Sequence, residues 1–382
     1  MKNLFRFSVL LVLFVLLGGC GFWSKSDEVK PSPLPDIVSE NRVNVLWTAN
    51  VGDGPGRRFH EMTVSIDGDR IFAADHKGLV ASFDRRTGQR IWSVNLKDPI
   101  VGGVGAGHGH VIVNLRSGEI VSLSAENGTE LWRYQLTSEA TAQVQINPSI
   151  VVVQTVNGRI TALDRVSGTH RWTYDAQVPS LSLRGTGAPL LTSDVTIAGF
   201  SNGKLVALNN ESGLFFWETR IADGSGRSEL ERMADIKGRP LILNNTLYVA
   251  AYQGQIRSIN PFNLQTFWGH DVSTYRSLAT GFGNIYLVND RDAVLAMDAA
   301  SGASVWTQRD LSLRRLSAPA VIGNAVVVGD AEGYLHFMSQ VDGRFVARHR
   351  LDSSGVTGDM LVRDNVLYVL TNAGRLAAIQ LN

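Results

Sequence analysis

The residue whose surroundings most clearly predict a chemical modification is Cys20, the only cysteine in the chain. Two cations, Lys2 and Arg6, and an apolar run at residues 7–17 precede it, and the four residues 17–20 read Leu-Gly-Gly-Cys. A start of this kind is typical of a signal peptide, and the last four residues match the lipobox at which a cysteine thiol is acylated. We therefore predict a signal peptide over 1–19 and a lipidated, palmitate-bearing Cys20, in preference to an ordinary signal peptide with an incidental cysteine.

Other residue patterns give little support for catalysis or for a bound ion. The glycine-rich stretch 102–110 lacks the strand–loop–helix context of a phosphate-binding loop, so we interpret it as structural. His108 and His110 have no third potential metal ligand near them in sequence. No nucleophile elbow, zinc motif or pair of catalytic carboxylates is found. The sequence therefore predicts no catalytic residue, no metal and no cofactor.

Two unusually long connections carry residue types that suit protein recognition. The first contains Leu181, Leu183 and Arg184, and apolar side chains next to an arginine are typical of interface anchors. An alternative is that the two leucines begin the next inner strand and point into the fold. Extra loop length in a repeat protein often marks the binding face.

The second long connection is acidic and includes Glu229 and Glu231. Ser228 and Glu231 have the spacing of a capping box, which predicts a short helix there. Because the two connections are consecutive, we expect them to lie side by side, with these carboxylates next to Arg184.

A repeat built around tryptophan positions these connections. Seven tryptophans recur at intervals of 45, 40, 40, 45, 51 and 38 residues, and most stand four residues after a glycine. A period of this size indicates a propeller or a solenoid. A large indole at one place per repeat is expected to pack one repeat against the next. These structural, blade-docking residues are Trp47, Trp92, Trp132, Trp172, Trp217, Trp268 and Trp306.

The local patterns inside one repeat predict four short strands and almost no helix. A strand such as residues 205–208 alternates and ends in Asp, Asn or Ser, whose side chain can bond the following backbone. A Ser-Gly, Thr-Gly or Asn-Gly pair then supplies the positive φ of a tight turn. The next strand carries the tryptophan, and another hairpin lies upstream. Four strands per repeat favour the blades of an all-β propeller.

Counting the repeats predicts how the ring closes. Eight copies of the strand before the turn are present, and Ala347 occupies the eighth tryptophan position. The strand at 43–51 precedes any complete repeat, whereas the last repeat has no outer strand after it. We therefore predict an eight-bladed β-propeller over 43–382, four antiparallel strands per blade, with the N-terminal strand completing the C-terminal blade. An open β-solenoid is the alternative, but it leaves the split repeat unexplained.

The segment between Cys20 and the propeller is expected to be a flexible tether over 20–42, because it is polar, rich in proline and without periodicity. Removing residues 1–19 changes the formal charge from +1 to about −1. A near-neutral body gives no argument for nucleic-acid binding. Gly21 stands where an aspartate would favour retention at the inner membrane, so we expect export to the periplasmic face of the outer membrane.

The pattern Asp-x-x-(Ser/Thr)-Gly-x-x-x-Trp resembles the tryptophan-docking repeat of quinoprotein propellers with PQQ-like repeats. Together with the lipobox and the length of 382 residues, the chain resembles the BamB family of lipoproteins, part of the outer-membrane β-barrel assembly (BAM) complex. The resemblance covers nearly the whole chain. It implies a non-catalytic scaffold that binds the periplasmic POTRA domains of BamA and assists insertion of β-barrel proteins, with nascent barrel chains as a further partner.

The resemblance also assigns partner-binding residues. Family members use a Leu-x-Leu-Arg loop and acidic residues of the next connection to engage BamA, and Leu181, Leu183, Arg184 and Asp235 match those positions. The sequence departs from the pattern at Lys237, where a second acidic residue is expected. Glu229 or Glu231 is expected to compensate for it.

Two other functional classes are compatible with the fold. A quinoprotein dehydrogenase is disfavoured because such enzymes are usually longer and often place adjacent cysteines over the quinone. A periplasmic glycan-binding propeller would need exposed aromatic residues on one face, whereas most tryptophans here belong to the repeat.

Overall fold

The computed structural model describes residues 30–56, 62–183, 185–224 and 226–382. The chain divides into two units, Met1–Pro31 and Ser32–Asn382, and only two residues of the first are described. The predicted signal peptide and Cys20 therefore lie outside the described residues. Among the residues that are described, no helix has the length and the apolar character needed to cross a membrane.

The unit Ser32–Asn382 contains short strands from its beginning to its end. The first half of the chain contributes β1 (Val43–Asn50), β2 (Ser65–Asp67), β3 (Arg70–Ala74), β4 (Leu79–Asp84), β5 (Arg90–Asn95), β6 (Gly105–Gly107), β7 (His110–Asn114), β8 (Glu119–Ser124), β9 (Glu130–Gln135), β10 (Gln145–Ile146), β11 (Ile150–Gln154), β12 (Arg159–Asp164), β13 (His170–Asp175), β14 (Leu190–Leu191), β15 (Val195–Gly199) and β16 (Lys204–Asn209). The second half contributes β17 (Phe215–Arg220), β18 (Leu241–Leu243), β19 (Thr246–Ala250), β20 (Gln255–Ile259), β21 (Thr266–Asp271), β22 (Ala279–Gly281), β23 (Asn284–Val288), β24 (Val294–Asp298), β25 (Ser304–Gln308), β26 (Ala320–Ile322), β27 (Ala325–Gly329), β28 (Tyr334–Ser339), β29 (Phe345–Arg350), β30 (Leu361–Arg363), β31 (Val366–Leu370) and β32 (Arg375–Leu381).

These strands form eight four-stranded antiparallel sheets, each one a blade of the propeller. Blades 1 to 7 take four consecutive strands each, from β2–β5 to β26–β29. Blade 8 has the order β1-β32-β31-β30, so the N-terminal strand is its outermost strand. Val43 pairs with Leu381 and Asn50 with Arg375. The predicted eight-bladed propeller and its closure by the N-terminal strand are therefore confirmed.

The turn between the third and fourth strands of each blade shows why its residue types recur. In blade 1 the Asp84 carboxylate accepts hydrogen bonds from the backbone N–H of Thr87 at 2.8 Å and from that of Arg86 at 3.0 Å. Gly88 follows with φ +72° and donates its N–H to the Asp84 carbonyl at 2.9 Å. The left-handed conformation favours glycine, so the turn chemistry predicted from the repeat is present.

The same turn receives the tryptophan of the preceding blade. The Trp132 indole N–H donates to the Arg165 carbonyl of blade 3 at 2.9 Å. A Cβ at Gly168 would stand only 2.6 Å from the Trp132 ring, so this glycine is also needed for close packing. Six of the seven tryptophans donate a hydrogen bond of this kind across a blade interface: Trp47, Trp92, Trp132, Trp172, Trp268 and Trp306.

Trp217 differs from the other six. In blade 5, Leu264 occupies the position that Gly168 has in blade 3. Leu264 has φ +62° and packs in the same apolar cluster as Trp217. Among the described residues, none accepts a hydrogen bond from the Trp217 indole, and its side chain is only half-buried. The Cβ of Leu264 occupies space that the indole takes at the glycine-containing interfaces.

The apolar core is divided among the blade interfaces. Each cluster of buried side chains within the described residues draws on two neighbouring blades, and together the clusters join all eight pairs. Trp47 of blade 8 packs with Phe83 of blade 1, which closes the ring. Burial of this kind is the main favourable contribution to folding, so it holds each blade to its neighbours.

Part of the predicted tether contacts the propeller. The backbone N–H of Ser32 donates to the Ser312 carbonyl at 3.1 Å, and Arg314 donates to the Ser32 carbonyl at 2.9 Å. Glu40 forms an ion pair with Arg344 on β29 at 2.8 Å. Contacts with blade 7 and its surroundings therefore begin at least as early as Ser32.

Candidate partner-binding site

The two long connections lie at the same end of the propeller, because each leads from the outer strand of one blade to the inner strand of the next. The first joins β13 to β14 and the second joins β17 to β18. The Leu183 N–H donates to the Asp235 carboxylate, and a Cβ at Gly187 would lie 2.7 Å from the Lys237 carbonyl. The structure therefore brings the two connections into direct contact.

Leu181 and Leu183 lie in a loop, seven or more residues before β14 begins at Leu190. Leu181 is exposed and Leu183 is half-buried. A cavity of about 230 Å³ lies beside this loop and is lined by both leucines, Phe200 and Asp235. The alternative in which the leucines begin the inner strand is therefore wrong.

Asp235 lies beneath the loop. Direct contact with a partner would require a residue on the surface, and Asp235 is not on the surface. Its side chain is 3% exposed, and one carboxylate oxygen accepts a hydrogen bond from the backbone N–H of Leu183. The other carboxylate oxygen is buried without a hydrogen-bond partner among the described residues. Burial raises the pKa of Asp235 to about 6, although the Leu183 N–H and the charge of Lys237 oppose this shift. The carboxylate holds the first loop against the second connection.

Neighbouring backbone contacts explain why Asp235 is buried. Ala234 forms a β-bridge with Asn202, and the Tyr252 N–H donates to the Asp235 carbonyl at 2.8 Å. These contacts fix the connection between two blades and direct the carboxylate inward. Phe200, Asn202 and Tyr252 were not singled out by the sequence, because the repeat carries no signal for contacts between non-equivalent loops.

Glu229 and Glu231 are exposed on the second connection. The predicted capping box is present, because Glu231 accepts from the Ser228 N–H at 3.1 Å and the Ser228 hydroxyl accepts from the Glu231 N–H at 3.2 Å. These bonds lower the pKa of Glu231. The predicted short helix is wrong: residues 229–232 form a single turn, and the chain is held again at Ala234.

Arg184 lies outside the described residues, so its expected position next to Glu229 and Glu231 stays a prediction. Lys237, which departs from the expected acidic residue, lines the cavity under the loop. Its ammonium nitrogen is 5.9 Å from the centre of the Tyr275 ring. The charge of Lys237 acts on Asp235, so a cation stands where the family pattern implied a second carboxylate.

A second set of exposed residues was missed by the sequence analysis. Blades 4 and 5 carry large apolar side chains on their outer strands and on the preceding turns. The fractions exposed range from 51% for Phe216 and Phe267 to 81% for Phe262. The set consists of Leu214, Phe215, Phe216, Phe262 and Phe267. Neighbouring exposed apolar side chains often mark contact surfaces. In the sequence, however, nothing distinguishes these five residues from other strand and turn residues of the repeat.

The described residues contain no group of three or more His, Cys, Asp or Glu side chains arranged to hold a metal ion. His110 is buried, and its Nδ1 lies 2.9 Å from the Ser122 hydroxyl, which accounts for this histidine structurally. Burial lowers the pKa of His110. Apolar side chains on the first connection and exposed acidic side chains on the second are the clearest chemical feature of the described face.

Comparisons with known proteins agree with the fold and add the family. Residues 76–308 match the family profile described as outer membrane protein assembly factor BamB. The chain is 50% identical over 373 residues to the protein of that name from Pseudomonas aeruginosa, covering 98% of both chains. It is 35% identical over 380 residues to the protein of that name from Escherichia coli K12, covering 97% of both chains.

Solved structures show the same architecture. The crystal structure of BamB from Moraxella catarrhalis superposes with a TM-score of 0.82 at 27% identity, covering 89% of this chain and 100% of that one. Quinohemoprotein alcohol dehydrogenase from Comamonas testosteroni has a TM-score of 0.69 at 13% identity, covering 88% of this chain and 76% of that one. At that identity the dehydrogenase is similar in fold alone. The near full-length matches and the family profile lead to one conclusion: this chain belongs to the family of outer membrane protein assembly factor BamB.

Proposed function

We propose that this chain is an assembly factor at the outer membrane, a subunit of the BAM complex that assists the insertion of β-barrel proteins. The observation that carries the proposal is the match over 98% of the chain to a relative named as an outer membrane protein assembly factor. The match spans the whole propeller together with both long connections, so the parts that could contact a partner are included.

The proposed location is the periplasmic face of the outer membrane, with the chain anchored through acyl groups on Cys20. Support comes from the predicted signal peptide over 1–19, the match of residues 17–20 to a lipobox, and Gly21. Several acyl chains on one residue give stable anchoring, since each buried methylene contributes about 0.8 kcal/mol. The tether is proposed to span 20–42, and the propeller 43–382.

The proposed partner is the set of periplasmic POTRA domains of BamA, bound at the two adjoining connections. Leu181, Leu183 and Arg184 would supply the apolar and cationic anchors, and Glu229 and Glu231 the acidic rim. Apolar anchors surrounded by polar groups are typical of protein interfaces. Asp235 would act indirectly, because its buried carboxylate positions the backbone of Leu183.

The proposed role is that of a scaffold without catalytic activity. The fold does not decide this point, because dehydrogenases share it. The proposal is supported by the family name of the full-length relatives. An absorbance scan after addition of quinone and calcium tests it: a bound quinone chromophore would contradict the scaffold role.

Binding of the full chain to purified BamA POTRA domains tests the partner. We expect Leu183→Ser to raise the Kd at least about tenfold, because it removes an apolar anchor. Val341→Ser is the matched control: Val341 is 69% exposed and lies in the turn between β28 and β29 of blade 7, away from both long connections. An unchanged Kd for Leu183→Ser, or equal losses in both variants, would remove the site assignment.

A further inference from the structure

The axis of the propeller contains a channel of about 800 Å³, lined by residues of all eight blades. Small, apolar and neutral polar side chains form most of its wall. Its volume lies in the range of sites that bind small molecules. Of the described residues, four cationic and two acidic ones line it: Lys237, Arg239, Arg276, Arg363, Asp67 and Asp359.

These charges are distributed unevenly between the two ends. Asp67 ends β2 and Arg363 ends β30 in the neighbouring blade, so this end has one residue of each sign. The other four charged residues precede the innermost strands of their blades, at the end where the long connections lie. Three of these four are cations. Counted over the described residues, the connection end of the channel therefore has more cationic than acidic side chains.

Arg239 and Arg276 are held on adjoining stretches of chain. A Cβ at Gly238 would lie 2.3 Å from the Arg276 carbonyl oxygen, so only glycine allows the two backbones to come this close. The Arg239 N–H also donates to the Ser277 hydroxyl at 3.4 Å. Both arginine side chains line the same channel.

Most of the donor groups on these two guanidinium ions are unused. The Arg239 side chain forms no hydrogen bond or ion pair with any described residue, although the charge of Asp359 acts on it. Arg276 donates from Nη2 to the Tyr275 hydroxyl at 3.1 Å and lies 4.8 Å from the centre of that ring. Its buried Nε has no partner among the described residues. Each guanidinium carries five N–H donors.

The surroundings raise the cost of the Arg239 charge. The protein around Arg239 excludes enough water to lower its pKa, although the residue is exposed within the channel. An anion with several charged oxygens would offset this cost, because carboxylate and phosphate oxygens match the guanidinium donors.

We propose that the connection end of the channel binds a small multivalent anion, a solute with two or more negative charges on phosphate or carboxylate groups. Arg239 and Arg276 donate to its oxygens, and Lys237 adds positive charge to the wall. Arg239 and Arg276 are not among the residues proposed to contact BamA, so substitutions at these two arginines test the anion site separately from the Leu183→Ser test of the partner site.

Isothermal titration of the full chain with pyrophosphate, citrate and acetate at constant ionic strength tests the proposal. We expect saturable binding of pyrophosphate or citrate with a Kd below about 1 mM, and no saturable binding of acetate. Tighter binding of pyrophosphate would indicate phosphate groups in the natural ligand, and tighter binding of citrate would indicate carboxylates.

Variants locate the site. Arg239→Gln and Arg276→Gln should each raise the Kd at least about tenfold, because each removes charge-assisted hydrogen bonds. Arg363→Gln, at the other end of the channel, should leave it unchanged. If Arg276→Gln does not fold, Arg239→Gln decides alone, because the Arg239 side chain makes no hydrogen bond within the described protein. Absence of saturable binding, equal binding of acetate, or an equal loss in Arg363→Gln would overturn the proposal.

Discussion

Blades 2 and 3 meet across a tryptophan, whereas the two long connections meet across a single carboxylate. Trp132 is 8% exposed, lies against Gly168 and belongs to an apolar cluster that both blades share. Asp235 is buried as well, but it reaches the first loop through one hydrogen bond to Leu183 and leaves its second oxygen without a partner. The blade interface gains stability from apolar burial, while the contact between the connections is polar and carries the cost of a buried charge.

This difference separates two tasks in the molecule. The tryptophan contact recurs around the ring, so the fold does not depend on the loops. The loops are free to depart from the repeat because the blades on either side are already held together. Stability should therefore reside in the blade interfaces and recognition in the connections.

Removing a docked tryptophan is the strongest way to test the comparison. Trp132→Ala should lower the free energy of unfolding by about 3–5 kcal/mol, because it leaves a cavity between two blades and removes the hydrogen bond to Arg165. Denaturant unfolding followed by circular dichroism measures the change. The matched variant is Trp217→Ala, for which we expect a clearly smaller loss, because Trp217 is half-buried and its indole forms no hydrogen bond with the described residues. Equal losses in the two variants would show that a glycine facing the tryptophan does not contribute to the free energy of unfolding.

The repeated parts of the fold could be predicted from sequence because each feature occurs several times. Asp84, Gly88 and Trp92 follow one local rule, and the same rule recurs along the chain, so counting it gave eight blades. The closing strand followed from the same count. The N-terminal strand belonged to no complete repeat, and the C-terminal repeat lacked its outer strand.

The site could be predicted only in part, because its contacts are unique and distant in sequence. Leu183 and Asp235 are 52 residues apart, and no period relates them. From sequence alone, an acidic residue in a long connection is expected to be exposed. Asp235 is buried because of the backbone contacts of Ala234 and Tyr252, which no sequence pattern indicates. The capping box at Ser228 was predicted from local pairing, but the helix was not formed because the chain is held again six residues later at Ala234.

The pH dependence of stability sharpens the comparison at the carboxylate. The pKa of Asp235 is about 6 in the folded chain, above the usual value of about 4 in an unfolded chain. Between about pH 4 and pH 6 the folded state therefore binds more protons than the unfolded state, so this group makes the protein less stable as the pH rises. We expect a loss of about 1–3 kcal/mol over this range.

Asp235→Asn is the matched variant, because it retains an oxygen for the Leu183 N–H and cannot ionise. The difference in free energy of unfolding between the two proteins, measured by urea denaturation from pH 4 to pH 7.5, isolates the effect of this group from other titrations. Parallel curves for the two proteins would show that the carboxylate is hydrated in the folded state.

The smallest expected effect concerns the exposed part of the loop. Leu183→Ser should change the free energy of unfolding by less than about 1 kcal/mol, because the side chain is half-buried and lies outside the apolar clusters between blades. Leu163→Ser provides the contrast: Leu163 is fully buried between blades 2 and 3, and truncation of such a leucine costs about 2–5 kcal/mol. Thermal unfolding of both variants checks the difference. A large loss for Leu183→Ser would mean that the first connection stabilises the ring, and weakened binding to a partner could then no longer be assigned to a lost contact.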